Sequence, residues 1–161
     1  LPELLHRQSL ADIRDALTLD LAPVLYVCRA VLPVMMAQAR GGSIVAIASD
    51  AGKVATPGES VIGAGMAAII QFLRGLAIEG KRSGVRANTI APSLVEGTDL
   101  TGRLMAEGRF SAKIFAKART LADLGPTTPA DLAALAVFLL SPAAGRITGQ
   151  AVSVSGGISA A

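Results

Sequence analysis

The 161 residues include one cysteine, one histidine, one tyrosine and no tryptophan. The lone Cys28 excludes an internal disulfide and a cysteine-rich zinc site, and no metal is expected. Cys28 reads as a small packed apolar side chain, which fits a reducing, cytoplasmic compartment. Aromatics make up 3% of the chain, too few for a nucleic-acid stacking platform. The formal charge of +3 comes from scattered basic residues, read as solvated surface with no nucleic-acid partner. The opening "LPELLHRQ" lacks the basic and apolar regions of a signal peptide. Apolar stretches such as "AALAVFLL" (133–140) fall short of a membrane span, so no membrane partner is expected. No G-x-G-x-x-G follows a candidate strand; "GAGM" (63–66) follows a loop and lies inside a helical pattern.

What the chain does have is apolar content, 52% against 17% charged residues, enough for one domain with a core. Residues 9–40 are helical in pattern: Ser9 reads as the cap, and Ile13, Leu17, Leu21, Leu25 and Cys28 recur near helical spacing. Pro23 and Pro33 predict a break or kink, and Gly41-Gly42 a stop. "SIVAIAS" (43–49) predicts a strand buried on both faces, as in a parallel sheet. A Gly/Pro-rich loop follows, then a helix over 61–79 and a second strand over 83–93. Residues 94–127 read as a lid with short helices around "DLTGRLMAE" and "SAKIFAKA". Thr128, Pro129 and Asp131 open a helix over 128–141, and 147–157 predicts a third strand. This alternation predicts an α/β fold with a parallel sheet. Three strands make a poor doubly wound sheet, since the first would leave an apolar edge bare. Either the chain is incomplete or a partner covers that edge.

"RAVLPVM" (29–35), "GGSIVAIAS" (41–49), the "PG" entry to a helix, "GVRANTIAP" (84–92), "PADLAALAVFLLSP" (129–142) and "ITGQAVSVSGG" (147–157) fall in the order and spacing of one family. The chain resembles the short-chain dehydrogenase/reductase family along almost its whole length. The resemblance implies a Rossmann-like doubly wound parallel sheet, with residues 1–161 as its C-terminal part. It also implies a nucleotide-binding segment that these 161 residues do not contain, either lost from the protein or lying before Leu1; the lack of an initial Met and the bare strand edge favour the second.

The family places a Ser at the end of a strand, a proton-donating Tyr on the next helix, and a Lys four residues later that lowers the Tyr pKa. An Asn on the preceding helix holds a relay water. By this resemblance Ser49 is the family's Ser, Ile62 stands at the Tyr position, Met66 at the Lys position and Asp20 at the Asn position. Neither Ile nor Met can donate a proton or hold a charge. No Tyr or Lys occurs within 55–75, so a small shift of register does not restore the pair. Lys53, on the loop after Ser49, is a candidate to approach the cleft; Tyr26 reads as packing and His6 as surface. Pro92 and Thr98 lie where the family contacts the nicotinamide, with Ser93 in place of the usual Gly and Gly97 as an extra residue. Ser155 stands where an Asp commonly precedes the final Gly-Gly.

These readings lead to the expectation of a catalytically inactive subunit. It would assemble with an active NAD-dependent dehydrogenase of the same family, acting on a hydroxyacyl-CoA or another hydroxy compound. That partner would hold the NAD(P), and this chain would need no cofactor of its own. The helices 9–40 and 61–79 would form the dimer or tetramer contacts, with an active subunit or a second copy, and Gly63, Ala64, Gly65, Ala67 and Ala68 would permit close approach. Two other readings stay open: an active NAD(P)-dependent oxidoreductase with displaced catalytic groups, and a ligand-binding or regulatory module.

Overall fold

The computed structural model describes residues 2–106 and 109–161. The chain runs α1 (Leu10–Met36), β1 (Gly42–Ile47), α2 (Ser60–Gly80), β2 (Val85–Pro92), α3 (Asp99–Leu104), α4 (Phe110–Leu121), α5 (Pro129–Leu140) and β3 (Ala151–Val154). The three strands form one parallel sheet in the order β1-β2-β3. Gly42 pairs with Val85 and Ile47 with Ile90, so β1 and β2 start level and β2 runs two residues further, to Pro92.

Side chains alternate across the sheet, as strand geometry requires. Ile44, Ala46, Ala48 and Ala87 face one core with Ile69, Ile70, Leu73 and Leu76 of α2 and Cys28 of α1. Val45, Ile90 and Val154 face a second core with Leu132, Leu135 and Leu139 of α5. Two apolar faces explain why the strands read as nearly continuous apolar runs.

Helix α1 is continuous through Pro23 and Pro33, against the expected break. Each proline removes one helical N–H bond, but both lie on the exposed face. The freed carbonyls there can be hydrated, so the helix survives. Ser9 caps it as expected: its Oγ accepts from Asp12 N at 3.0 Å and donates to Asp12 Oδ2 at 2.7 Å.

Strand β3 is shorter than expected, and Asn88 supplies the reason. Its fully buried amide donates to Ile147 O at 3.0 Å and accepts from Gln150 N at 3.0 Å. A side chain therefore takes the backbone groups that ladder pairing would use. The helix expected around "DLTGRLMAE" is observed as Asp99–Leu104, and Glu107 lies outside the described residues.

The expectation that apolar stretches are too short to cross a membrane is corrected for two helices. Leu10–Met36 and Ser60–Ser83 are both long and apolar enough by length and composition. The second is α2 and its last turn, apolar because one side packs on the sheet. In α1 the apolar run is interrupted by Asp20 and Arg29.

Candidate active site

In parallel α/β sheets, ligands bind beyond the carboxyl ends of the strands. A cavity of about 900 Å³ lies there. Ile47, Ala48 and Ser49 reach it from the end of β1, and Pro92 and Ser93 from the end of β2. Ile62 and Met66 of α2 form an apolar wall, and Asp20 lines it from α1. Thr98 and Thr101 enter from the start of α3, and Phe115 from α4. All six residues expected at the site, Asp20, Ser49, Ile62, Met66, Pro92 and Thr98, therefore meet in one cavity.

The local backbone explains their placement. Ser49 is extended at φ −147° and caps a short 3₁₀ turn, its Oγ accepting from Ala51 N at 3.2 Å. That bond uses a lone pair and leaves the hydroxyl hydrogen available to a ligand. Ile62 and Met66 are four apart on α2 and share a face. Thr98 caps α3 by accepting from Thr101 N at 3.1 Å. Gly97 before it has φ +76°, a left-handed conformation that glycine adopts without strain. Gly97 thus supplies the left-handed turn residue immediately before the α3 cap.

Lys53 does not approach the cleft. Its ammonium donates to Ser153 Oγ at 2.7 Å and to Ala151 O at 3.2 Å, which ties it to β3. Ser153 Oγ also donates to the buried Asp50 at 3.0 Å, so the lysine joins a network behind the turn. Tyr26 is 73% exposed on α1 and is absent from the cavity wall. His6 is exposed as expected. Cys28 is buried and its thiol pKa is pushed up by burial, so it is a packing residue. Ser155 is buried, and its Oγ donates to Ser159 O at 3.3 Å.

Two of the small residues expected at a seam between copies pack within the chain instead. Gly63 and Gly65 are buried. A Cβ on Gly63 would lie 2.6 Å from Ala51 O, and one on Gly65 would meet Leu17 of α1 at 3.8 Å.

Glu59 is a cavity residue that the sequence reading passed over. It is the residue before α2 and makes no side-chain capping bond. Burial raises its carboxyl pKa above the ordinary value. The usable signal was spacing: residues 59, 62 and 66 follow the i, i+3, i+7 pattern of one helix face.

The family model described as enoyl-(acyl carrier protein) reductase matches residues 2–159. The chain is 34% identical over 155 residues to the 3-oxoacyl-[acyl-carrier-protein] reductase FabG of Vibrio harveyi, covering 96% of this chain and 61% of that protein. It is 34% identical over 144 residues to a 7alpha-hydroxysteroid dehydrogenase of Bacteroides fragilis, covering 89% of this chain and 53% of that protein. The chain thus spans 61% and 53% of the length of these two relatives. Among solved structures, a 3-oxoacyl-[acyl-carrier protein] reductase from Brucella melitensis superposes with TM-score 0.85 at 28% identity, over 99% of this chain and 57% of that one. A short-chain type dehydrogenase/reductase from Mycobacterium ulcerans superposes with TM-score 0.86 at 26% identity, over 98% of this chain and 55% of that one.

These likenesses overturn the expectation of a catalytically inactive subunit in a mixed oligomer. The relatives are named as reductases and dehydrogenases, and they match across nearly the whole chain. The physical basis of the expectation was two missing side chains. The apolar side chains at 62 and 66 leave the cavity in place, and Ser49 and Glu59, which can both exchange protons, also line it. The chain belongs to the short-chain dehydrogenase/reductase family.

Proposed function

We propose that this chain forms the substrate side of an active NAD(P)-dependent oxidoreductase that interconverts a carbonyl and a hydroxyl group. Its catalytic groups are displaced from positions 62 and 66 of α2. The observation that carries this reading is the convergence of Ser49, Pro92, Ser93 and Thr98 on one cavity beyond the strand ends. The names of the relatives support it.

The cavity's chemistry fits the nicotinamide end of a dinucleotide. It pairs the Ser49 hydroxyl with an apolar floor of Ile47, Ala48 and Pro92. Pro92, Ser93 and Thr98 would hold that end. Bound there, the nicotinamide would supply or take a hydride at a carbon bearing oxygen. No glycine-rich phosphate loop follows β1, β2 or β3. The rest of the dinucleotide site is assigned to further strands of the same domain, which would pair with the free edge of β1 and cover it.

Ser49 Oγ–H would donate to the substrate oxygen and favour the form in which that oxygen gains negative charge. Ile62 and Met66 would pack the apolar part of the substrate and exclude water, which strengthens the Ser49 interaction. The replacement of a polar pair by these two residues therefore enlarges the apolar contact. We assign the enzyme to the cytoplasm. We also assign the exposed face of α1, with Tyr26, Val27 and Val34, to contact with a second copy of the chain.

The test is the rate of NADH or NADPH consumption by the full-length protein with an acetoacetyl thioester and a cyclic ketone. Turnover with either supports the reading. No turnover with either nucleotide contradicts it.

A further inference from the structure

The oxidoreductase reading leaves a chemical gap. A substrate oxygen that gains charge must also gain a proton, and α2 presents Ile62 and Met66 where a donor would be useful. We propose that Glu59 is the proton-transfer residue of this cavity. The assignment rests on the oxidoreductase reading and goes beyond it by naming the group that handles the proton.

Geometry carries it. Glu59 precedes Ile62 by one helical turn and Met66 by two, on the same face, and all three line the cavity with Ser49. Its main chain is fixed at both sides: Glu59 N donates to Thr56 O at 3.0 Å, and its carbonyl accepts from Gly63 N at 2.6 Å. The preceding Gly58 accepts from Glu3 N at 2.8 Å. Among the described residues, the ion pairs are Arg14–Asp15 and Arg119–Glu96, so the Glu59 carboxyl is held by no cation.

The other ionisable groups lining the cavity are Glu3 and Arg7 from the N-terminal segment and Asp12, Asp15 and Asp20 from α1. The three α1 aspartates are exposed, whereas Glu59 is withdrawn into the wall. Helix α4 faces the turn before Glu59 with the apolar Phe110 and Ile114. Burial favours the neutral form of Glu59. A carboxyl kept protonated closer to neutral pH is suited to act as an acid in reduction and as a base in oxidation.

A bound reduced nicotinamide would supply the hydride to the carbonyl carbon, whose π electron pair would move to oxygen. The O–H bond of the Glu59 carboxyl breaks, and the O–H bond of the product alcohol forms. The resulting carboxylate takes a proton from water, which it meets because the residue is only half-buried. Oxidation of the alcohol runs the same steps in reverse.

The test compares the full-length wild type with Glu59→Gln, which keeps size and polarity. One arm reads NAD(P)H consumption with the acetoacetyl thioester and the cyclic ketone across pH. The other reads the carboxyl carbons of ¹³C-labelled glutamate by NMR without nucleotide. Expected in E59Q is a loss of at least ~100-fold in rate, with disappearance of the wild type's alkaline fall in activity. The glutamate signal that titrates above the ordinary range should vanish. A folded E59Q with unchanged rate and pH profile overturns the assignment of Glu59 and leaves the oxidoreductase reading standing. A Glu59 carboxyl that titrates in the ordinary range also overturns it. A wild type inactive with every ketone and both nucleotides overturns the oxidoreductase reading, and Glu59's role with it.

Discussion

Gly63 of α2 lies so close to Ala51 that a Cβ at position 63 would stand 2.6 Å from the Ala51 carbonyl oxygen. Ala51 belongs to the turn that Ser49 caps, and Gly63 adjoins Ile62. This backbone approach sets the distance between Ser49 and the α2 wall of the cavity.

Gly63→Ala should therefore destabilise the protein although alanine is the better helix former. Helix propensity favours alanine by about 1 kcal/mol. A clash with a backbone oxygen cannot be relieved by rotating a side chain, and overpacking of this kind costs about 1–3 kcal/mol. Gly75→Ala, on the same helix with nothing within 4 Å, provides the control and should stabilise by about 0.5–1 kcal/mol. Denaturant unfolding of both variants checks the opposite signs.

Leu73 is 1% exposed between α2 and the sheet. Leu73→Ala should cost about 2–5 kcal/mol, from lost burial and the cavity left behind. A shift of the urea midpoint with an unchanged slope is the expected reading.

Glu59 makes stability depend on pH in a defined direction. Its carboxyl pKa is raised in the folded state by burial. Between the unfolded and folded pKa values the native state binds more protons, so stability falls as pH rises. Above the folded pKa, the cost of the buried charge is fully present. Glu59→Gln should then raise the melting temperature at neutral pH, with the gain vanishing below the unfolded pKa. A melting temperature unchanged at neutral pH would show that the carboxylate is well solvated.

Asp131 gives the opposite sign. Hydrogen bonds from Thr128 Oγ1 and Thr128 N, both 2.7 Å, hold its carboxyl pKa below the usual value. Its contribution is present above the unfolded pKa and is lost as pH falls through the folded pKa. Asp131→Asn should lower the melting temperature near neutral pH, and the difference should close in acid. Thermal unfolding of the two proteins across that range measures it.

On α1, Tyr26, Val27 and Val34 are exposed apolar residues. Tyr26→Glu should shift the full-length protein toward a smaller assembly, read by sedimentation velocity at fixed concentration. The same mass for wild type and variant would remove this face from the contact.

Much of this arrangement was legible in the sequence because it is local or periodic. The β-branched apolar runs marked strands with two buried faces, and Thr128, Pro129 and Asp131 marked the start of α5. The family resemblance, counted from Ser49, implied that Ile62 and Met66 face the cleft, and both line the cavity. Features decided by tertiary contact were not legible. The direction of the Lys53 side chain depends on acceptors about 100 residues away, at Ala151 and Ser153. The continuity of α1 at Pro23 depends on which face meets water. Glu59 sits in a turn-rich stretch, "TPGES", where a linear reading sees a boundary and not a wall.

The most direct measurement is the initial rate of NAD(P)H consumption by the full-length protein with the acetoacetyl thioester, wild type beside Ser49→Ala. Ser49 is the one hydroxyl at the end of β1 that faces the cavity. Expected is ordinary turnover by the wild type and a loss of about 100-fold in the variant. A wild type without turnover, or a variant as fast as the wild type, would contradict the assignment of this cavity as the active site.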